Sequence, residues 1–465
     1  VFTHAGGTLN VDGGTFNPNA ASYTIQGSAG QTARLELKNG ATVTGLTGTL
    51  RVGGVNDGVL RVLSGSDLVV GSGLFVGASA GSQGNVYIAG PGSTFDANQL
   101  NVGEFGNGDL VMEDGATGKV DNGFITVASI AGSTGSLTVR GPGTSLTGNR
   151  QTDLGREGNG TLFVEVGGQL TNSAARLGTE ADGVGEATVT DPGSRWTSSS
   201  LTIGPQGQGT LNVFNQAEVV VNGTTTLASS NDTVNLEDGT LITVTFDNTN
   251  GGTFNHISGE LIVDAGTFQV TDSVFLIDGM DDPDGAPVLT LRNGATADLP
   301  KNLGVGSEQG AALNIESGSS FGGPGNFYIA GLDGDGIVSV TGGGSTLSAG
   351  LNVYVGVKKF GGLFVGHGAT VSAGSDITMG EFGGNGLIAV EGLLTAGQDV
   401  EVGGIGPGRL EVRLGGNVRA TNQVIVNSTG RLDGEGIVDA AQTTNSGVVA
   451  PGSSAGTKGG TFSGN

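Results

Sequence analysis

Residues 186–213 read EATVTDPGSRWTSSSLTIGPQGQGTLNV, which is one complete unit of an internal repeat. The unit begins and ends on a short element whose second and fourth residues are apolar, as in EATV at 186–189 and TLNV at 210–213. Between them lie a Pro-Gly turn, a Ser/Thr-rich segment, the element LTIG at 201–204 and a Gly-rich turn. Alternation of apolar and polar residues over four or five positions is typical of a β-strand. One unit therefore predicts strand, turn, short strand, strand and turn.

The first element recurs along the chain at intervals of 22 to 27 residues, apart from one break. Its copies start at Arg34, Val59, Asn85, Asp109, Ser136, Thr161, Glu186 and Thr210, then at Val288, Ala312, Ile337, Gly362, Leu387, Arg409 and Arg431. A strand this short cannot bury its inner face alone, but it can when each coil stacks on the next. The repeat therefore predicts an all-β, elongated three-sided parallel β-solenoid, or β-helix, of about 25 residues per coil. At about 4.8 Å per coil, roughly 18 coils would form a rod roughly 85 Å long.

The composition is neither that of collagen nor that of a disordered chain. Glycine accounts for 93 of 465 residues, but apolar residues are spread evenly among them, and the collagen pattern of glycine at every third position is absent. A disordered acidic chain would carry more charge than the 13% of charged residues here. Glycine is instead expected at the corners of the coils, where the backbone takes positive φ.

The net charge of −24 bears on the partners of the chain. A strongly acidic chain repels nucleic acid and anionic lipid surfaces, so we expect no nucleic-acid partner. No run approaches 18 apolar residues, which predicts no transmembrane segment in this chain. The absence of cysteine excludes disulfide and thiolate chemistry.

A longer duplication is superimposed on the coils. Residues 2–16 align with residues 254–268 at an offset of 252. Residues 38–42 align with residues 292–296 after a two-residue insertion. These matches predict two superunits, 1–252 and a shorter 253–465, within one continuous rod.

The repeat also carries a resemblance to known proteins. The residues that carry it are PGSRWT at 192–197, LTIG at 201–204, GQGTL at 207–211, GRLDGEG at 430–436 and NSGVVAPGS at 445–453. This pattern resembles the Gly-rich passenger repeats of bacterial autotransporter-type adhesins. It also resembles planctomycete-like surface repeat proteins with C-terminal sorting signals. The resemblance implies a β-solenoid fold and a secreted or cell-surface location, extracellular and bacterial.

Two acidic turns are candidate metal sites. Asp281, Asp282 and Asp284 form one turn, and Asp333 and Asp335 form the other. Calcium takes about six to eight oxygen ligands, which adjacent aspartates and the carbonyl groups of glycine turns can supply. These five aspartates therefore form a speculative calcium site, and calcium is the one cofactor that we consider. The alternative is that both turns are simply solvated.

Three other features have both a structural and a functional interpretation. His4 and His256 occupy equivalent positions of the duplication, which favours a structural role over a catalytic one. Trp196 is interpreted as a packing residue or a surface cap, with a sugar-stacking platform as the alternative. A group of arginines is expected to pair with Glu157, Glu180 and Asp182 on the surface, and the alternative is a polysaccharide lyase or glycosidase site. These arginines are Arg140, Arg150, Arg156, Arg176 and Arg195.

The sequence thus predicts a non-enzymatic structural repeat protein that forms a stiff rod and self-associates head-to-tail or laterally into fibres or a matrix. The alternative is an adhesin passenger that binds glycans or surfaces, and the third hypothesis is a glycan-cleaving enzyme. A row of exposed aromatic residues on one face would favour glycan binding. A cleft with aspartate and arginine on adjacent coils would favour the enzyme.

Overall fold

The computed structural model describes residues 1–28, 30–271, 274–279 and 285–452, and the backbone of 461–463. Within these ranges the chain is all-β and forms a parallel β-solenoid of about 18 turns with about 24 residues per turn, as predicted. None of these ranges contains a helix long and apolar enough to cross a membrane. The chain divides into two compact units. Unit 1 is Val1–Ile242 with Gly252–Asn255, and unit 2 is Thr243–Gly251 with His256–Asn465.

The strands of unit 1 are short and follow one another at turns. They are β1 (Phe2–His4), β2 (Gly7–Asp12), β3 (Thr15–Phe16), β4 (Tyr23–Ile25), β5 (Ala33–Lys38), β6 (Thr42–Val43), β7 (Leu50–Val52), β8 (Gly58–Leu63), β9 (Asp67–Val76), β10 (Gln83–Ala89), β11 (Thr94–Val102), β12 (Asn107–Glu113), β13 (Thr117–Val120), β14 (Ile125–Val127), β15 (Thr134–Arg140), β16 (Ser145–Leu154), β17 (Asn159–Glu165), β18 (Gln169–Leu177), β19 (Val184–Val189), β20 (Arg195–Ser198), β21 (Leu201–Ile203), β22 (Gln208–Phe214), β23 (Glu218–Leu227) and β24 (Thr233–Glu237). Strands β25 (Thr240–Asn248) and β26 (Thr253–His256) contain residues of both units.

The strands of unit 2 follow the same pattern. They are β27 (Glu260–Asp264), β28 (Thr267–Val270), β29 (Val274–Ile277), β30 (Val288–Arg292), β31 (Thr296–Asp298), β32 (Asn302–Val305), β33 (Ala311–Glu316), β34 (Ser320–Gly323), β35 (Phe327–Ile329), β36 (Gly336–Thr341), β37 (Thr346–Ala349), β38 (Val353–Val355), β39 (Phe360–Val365), β40 (Thr370–Ala373), β41 (Ile377–Met379), β42 (Asn385–Val390), β43 (Leu393–Ala396), β44 (Val400–Val402), β45 (Gly408–Val412), β46 (Asn417–Val426), β47 (Gly430–Gly434), β48 (Ile437–Asn445), β49 (Val448–Pro451) and β50 (Thr461–Ser463).

The strands of unit 1 occupy three positions in each coil, which we call faces 1, 2 and 3. Face 1 contains β2, β5, β8, β10, β12, β15, β17, β19, β22 and β24, each paired in parallel with the next. Face 2 contains β3, β6, β13, β20 and the first halves of β9, β11, β16, β18 and β23. Face 3 contains β1, β4, β7, β14, β21 and the second halves of those same long strands.

The core of unit 1 lies between the three faces. Leu137, Leu162 and Ala187 are register partners on consecutive face 1 strands, and all three are fully buried. The residues that alternate with them point outward, as the period of two predicts. Because equivalent residues stack on one another, each outward position becomes a row of side chains along the coils.

Unit 2 has the same three faces, named in the same order along each coil. Face 1 contains β27, β30, β33, β36, β39, β42, β45, β47 and β49. Face 2 contains β28, β31, β34, β37, β40, β43, β50 and the first halves of β46 and β48. Face 3 contains β29, β32, β35, β38, β41, β44 and the second halves of β46 and β48.

The corner that follows face 3 requires glycine in most coils of unit 1. Gly77, Gly103 and Gly155 have φ of 64°, 74° and 60°, and the equivalent residue Ala128 has φ of 61°. A Cβ added to Gly103 would lie 2.2 Å from the carbonyl oxygen of Thr134 in the next coil. Glycine therefore serves two purposes at Gly103: it accepts the left-handed conformation, and it lets the next coil approach.

We expect Gly103→Ala to destabilise unit 1 by about 3 kcal/mol, because left-handed strain and a backbone clash act together. The matched control is Gly132→Ala, where φ is 80° but no atom lies within 4 Å of the added Cβ, so the loss should be about 1 kcal/mol. Urea unfolding followed by the fluorescence of Trp196, the only tryptophan of the chain, measures both. Equal losses would show that strain alone makes glycine necessary there.

Candidate functional site

A groove of about 510 Å³ crosses four consecutive coils on face 3 of unit 1. At about 4.8 Å per coil, it extends about 14 Å along the stack. Its lining residues form four rows of sequence-equivalent positions. These rows are Gln99, Phe124 and Gln151; Asn101, Thr126, Asp153 and Arg176; Glu104, Ser129, Arg156 and Thr179; and Phe105, Ile130, Glu157 and Glu180. We call this site the face 3 groove.

The floor of the groove is polar. Asn101, Thr126, Asp153 and Arg176 are register partners on consecutive face 3 strands, where they take the outward position between two inward residues. Gln151 Nε2 donates a hydrogen bond of 2.6 Å to Asp153 Oδ1, and Arg176 Nε donates one of 3.1 Å to the same oxygen. The side chain of Asp153 is buried by these partners. The floor is therefore an ordered set of amide, hydroxyl and charged groups.

Two exposed aromatic rings stand at the sides of the groove. Phe124 precedes β14 and is 46% exposed, and Phe105 lies in the Gly-rich turn after β11 and is 45% exposed. Because they lie beyond opposite ends of the face 3 strands, the rings flank the polar floor. Burial of a phenylalanine side chain lowers the free energy, so two half-exposed rings beside a groove are available to pack against a bound molecule.

Two hydroxyl groups in the groove have no partner. Ser129 Oγ and Thr179 Oγ1 are buried atoms that make no hydrogen bond with any part of the chain that the structure describes. Thr179 as a whole is only 4% exposed. Buried polar atoms almost always have a partner, so each exception calls for a physical explanation. Here both hydroxyl groups lie in the same row, with Arg156 on the coil between them.

The charge of the groove is negative. Four carboxylates line it (Glu104, Asp153, Glu157 and Glu180), against the two guanidinium groups of Arg156 and Arg176. Burial raises the pKa of the Glu104 carboxyl above its usual range, although the charge of Arg51 acts in the opposite direction. The groove is therefore better suited to a neutral ligand than to an anion.

The predicted calcium turns fall partly outside the described residues. Asp281, Asp282 and Asp284 lie outside them, so that part of the prediction is untested. Asp333 and Asp335 lie in an exposed turn, where Asp335 Oδ1 accepts a hydrogen bond of 3.0 Å from the backbone N–H of Phe360. Within the described ranges no group of three or more acidic or histidine side chains is placed to hold a metal ion. Calcium binding stays a prediction.

Three of the five arginines pair with acids other than the predicted ones. Arg140 pairs with Glu113, Arg195 with Glu218, and Arg176 with Asp153 at 3.1 Å. The predicted partners Glu157 and Glu180 instead line the groove. These ion pairs join residues of adjacent coils, because rows of equivalent residues lie within contact distance of one another. Asp153 and Arg176 in one cleft also form the arrangement of aspartate and arginine that would favour an enzyme.

The structure places Trp196 in the core, where it is 1% exposed. Its indole N–H donates a hydrogen bond of 2.6 Å to Asn172 Oδ1, so its polar atom is satisfied inside the protein. The packing interpretation of Trp196 is confirmed, and sugar stacking by this residue is wrong, because no face of the ring is accessible. The exposed rings are instead phenylalanines that sequence reasoning missed. The signal for Phe105 was GEFG at 103–106, since a phenylalanine among glycines in a turn has little to pack against.

Unit 2 contains two other polar clusters. The rings of Tyr328 and Tyr354 stack at 5.1 Å, and their hydroxyl groups accept hydrogen bonds from Asn326 and Asn352. A cavity of about 540 Å³ is lined by residues whose charges largely pair with one another in a network. Its charged members are Arg409, Glu411, Arg413, Arg431, Asp433 and Glu435.

The similarity of the chain to known proteins is limited. No protein-family model matches it. The chain is 28% identical over 241 residues to an uncharacterized lipoprotein, YdeK, of Escherichia coli strain K12; the match covers 42% of this chain and 18% of that protein. The chain thus spans less than a fifth of the length of this curated relative. A solved structure, the TibC-catalysed hyper-glycosylated TibA fragment, is similar at 16% identity with a TM-score of 0.29, over 77% of this chain and 99% of the fragment.

The histidines contact backbone carbonyl groups of their own coils. His4 Nε2 lies 3.0 Å from the Gly6 oxygen, and His256 Nε2 lies 3.2 Å from the Gly259 oxygen. Burial lowers the pKa of His256 from 6.5 to about 4, while the hydrogen bond to Gly259 acts in the opposite direction. His256 is therefore neutral in the native state at neutral pH.

We expect unit 2 to lose stability as the pH falls below 6.5, because the unfolded chain then binds a proton that the native His256 does not accept until about pH 4. At pH 4.5 the loss from this residue should be about 2 kcal/mol. His256→Gln keeps a donor for Gly259 but cannot titrate, so it should remove this part of the pH dependence. Thermal unfolding at pH 7.5 and 4.5 measures it, with the exposed His367 replaced by Gln as the control. The same pH dependence in His256→Gln and the native chain would contradict the assignment.

Proposed function

We propose that this chain is a non-enzymatic structural protein of the bacterial cell surface or exterior, in which a β-solenoid serves as a stiff scaffold. The observation that supports the proposal is the continuity of the strand ladders within each unit. Successive coils are joined by parallel pairing on three faces, and the interior between the faces is closely filled by buried apolar residues. Deforming one coil would break hydrogen bonds to both neighbours, so the stack resists bending.

Self-association, head-to-tail or lateral, belongs to the same proposal. Electron microscopy of the purified chain over a concentration series tests it, with calcium and with a chelator. We expect assemblies that grow with concentration, since scaffold proteins act through repeated contacts. Loss of the assemblies in the chelator would assign a role to the acidic turns. Single particles at every concentration would contradict self-association.

The proposed location is tested separately on intact cells of the organism that makes the protein. We expect an antibody against the chain to label unbroken cells, and protease added outside the cells to abolish the label. A cytoplasmic protein serves as the control for cell integrity, because it should resist the protease until the cells are lysed. Labelling that appears only after lysis would overturn the surface location.

The second candidate function is glycan binding, and one observation favours it. The face 3 groove combines two exposed phenylalanine rings with a floor of amide, hydroxyl and charged groups. A catalytic role is less favoured, although Asp153 and Arg176 share the cleft. Asp153 Oδ1 already accepts hydrogen bonds from both Gln151 and Arg176, which suits a fixed structural or binding group better than a base.

A further inference from the structure

We propose that the face 3 groove of unit 1 is a binding site for a neutral oligosaccharide about three sugar rings long, which lies along the stacked coils. The inference rests on glycan binding, the second of the proposed functions, and assigns it a place and a ligand class. A groove of about 510 Å³ lies within the range of small-ligand sites. Its length of about 14 Å along the coils matches a short oligosaccharide rather than one sugar.

The two phenylalanines supply the apolar contacts. A pyranose ring presents a face of C–H groups, which packs against an aromatic ring and removes both from water. Phe105 and Phe124 are each nearly half exposed, so their rings are accessible to a ligand without rearrangement of the core. Both residues line the same groove, so a ligand that fills it contacts both.

The floor supplies the polar contacts. Sugar hydroxyl groups both donate and accept, and they are best matched by amides, carboxylates and hydroxyl groups held in fixed positions. Asn101 and Thr126 are held in this way on consecutive strands. The hydroxyl groups of Ser129 and Thr179 belong to residues that line the groove and have no partner, and a turn of each side chain would bring its buried oxygen within reach of a sugar hydroxyl. The lining therefore offers unmet hydrogen-bonding capacity where a hydroxyl-rich ligand would lie.

The charge of the lining disfavours an anionic ligand. Four carboxylates against two guanidinium groups would repel a uronate, sulfate or phosphate polymer. The face 3 strands also disfavour an extended peptide, since their backbone N–H and C=O groups already pair with the neighbouring coils. A peptide would find no open strand edge to extend there. A neutral saccharide needs no such edge, because side chains alone recognise it.

Isothermal titration calorimetry of the purified full chain tests the proposal. The probes are cellotriose, maltotriose and the trimer of N-acetylglucosamine, with trigalacturonate as the anionic comparison and a lysine-free peptide of mixed sequence as the peptide comparison. We expect at least one neutral trisaccharide to bind, and trigalacturonate and the peptide to bind far less tightly. No binding of the three neutral probes, or equal or tighter binding of either comparison, would overturn the ligand class.

Three variants locate the binding. Phe105→Ala and Phe124→Ala should each weaken binding about tenfold, since one ring contact is lost. Thr179→Val keeps the shape of the side chain and removes the unpaired hydroxyl, so it should weaken binding about fivefold without lowering the stability of unit 1. The matched control is Phe163→Ala, which removes an exposed phenylalanine from face 1 of the same unit. Equal affinity in all the variants would overturn the site.

The proposal for the groove and the proposal for the scaffold can fail independently of each other. The titrations use the purified chain, so their failure leaves the labelling of intact cells and the strand ladders untouched. Thermal unfolding of each variant shows that a lost affinity is not a lost fold. Release of new reducing ends from a bound trisaccharide would support the ligand class and overturn the absence of catalysis.

Discussion

Neighbouring coils must lie at hydrogen-bonding distance along their whole length, and the rest of the structure depends on this constraint. Strands stacked about 4.8 Å apart leave no room for a side chain between two backbones. A Cβ on Gly108 would lie 2.9 Å from the carbonyl oxygen of Val76 in the preceding coil, and a Cβ on Gly135 would lie 2.3 Å from the carbonyl oxygen of Val102 in the preceding coil. Glycine is frequent for this reason, and its frequency does not make the chain flexible.

The same spacing turns every outward position into a row. In unit 2 the side-chain oxygen of Asn302 accepts a hydrogen bond from the backbone N–H of Asn326, and Asn326 does the same for Asn352. The row continues through Asp376 and Asp399, each of which accepts from the next coil. Such a row stabilises the stack, because each member satisfies a backbone donor of its neighbour. The face 3 groove is also lined by rows of equivalent residues, but the hydroxyl groups of Ser129 and Thr179 make no hydrogen bond to a neighbouring coil.

The inward residues and the corners could be predicted from the sequence, and the groove could not. Ala187 and Val189 alternate with polar residues, and Leu201 and Ile203 do so again before a glycine, so the strand positions follow from local pattern. The ion pair of Arg176 with Asp153 depends on which residues become register partners, and a chain with coils of unequal length does not fix that by spacing alone. Trp196 can be buried because Asn172, one coil away, accepts a hydrogen bond from its indole N–H. A regular row of exposed rings was the sequence criterion for glycan binding, whereas Phe105 and Phe124 lie at different positions of their coils.

In such a fold, only the residues that do not determine how the coils stack are available for a function. Inward residues are fixed by packing and corners by close approach, so only the outward rows can vary without cost to the fold. Across the groove the central row changes from Asn101 to Thr126, Asp153 and Arg176, whereas the inward residues beside it stay apolar or small. Large rings at the sides of this row, together with unpaired hydroxyl groups beside it, are not required by the solenoid. A ligand that spans several coils would explain why these residues occur together, since only adjacent coils can present them at a common spacing.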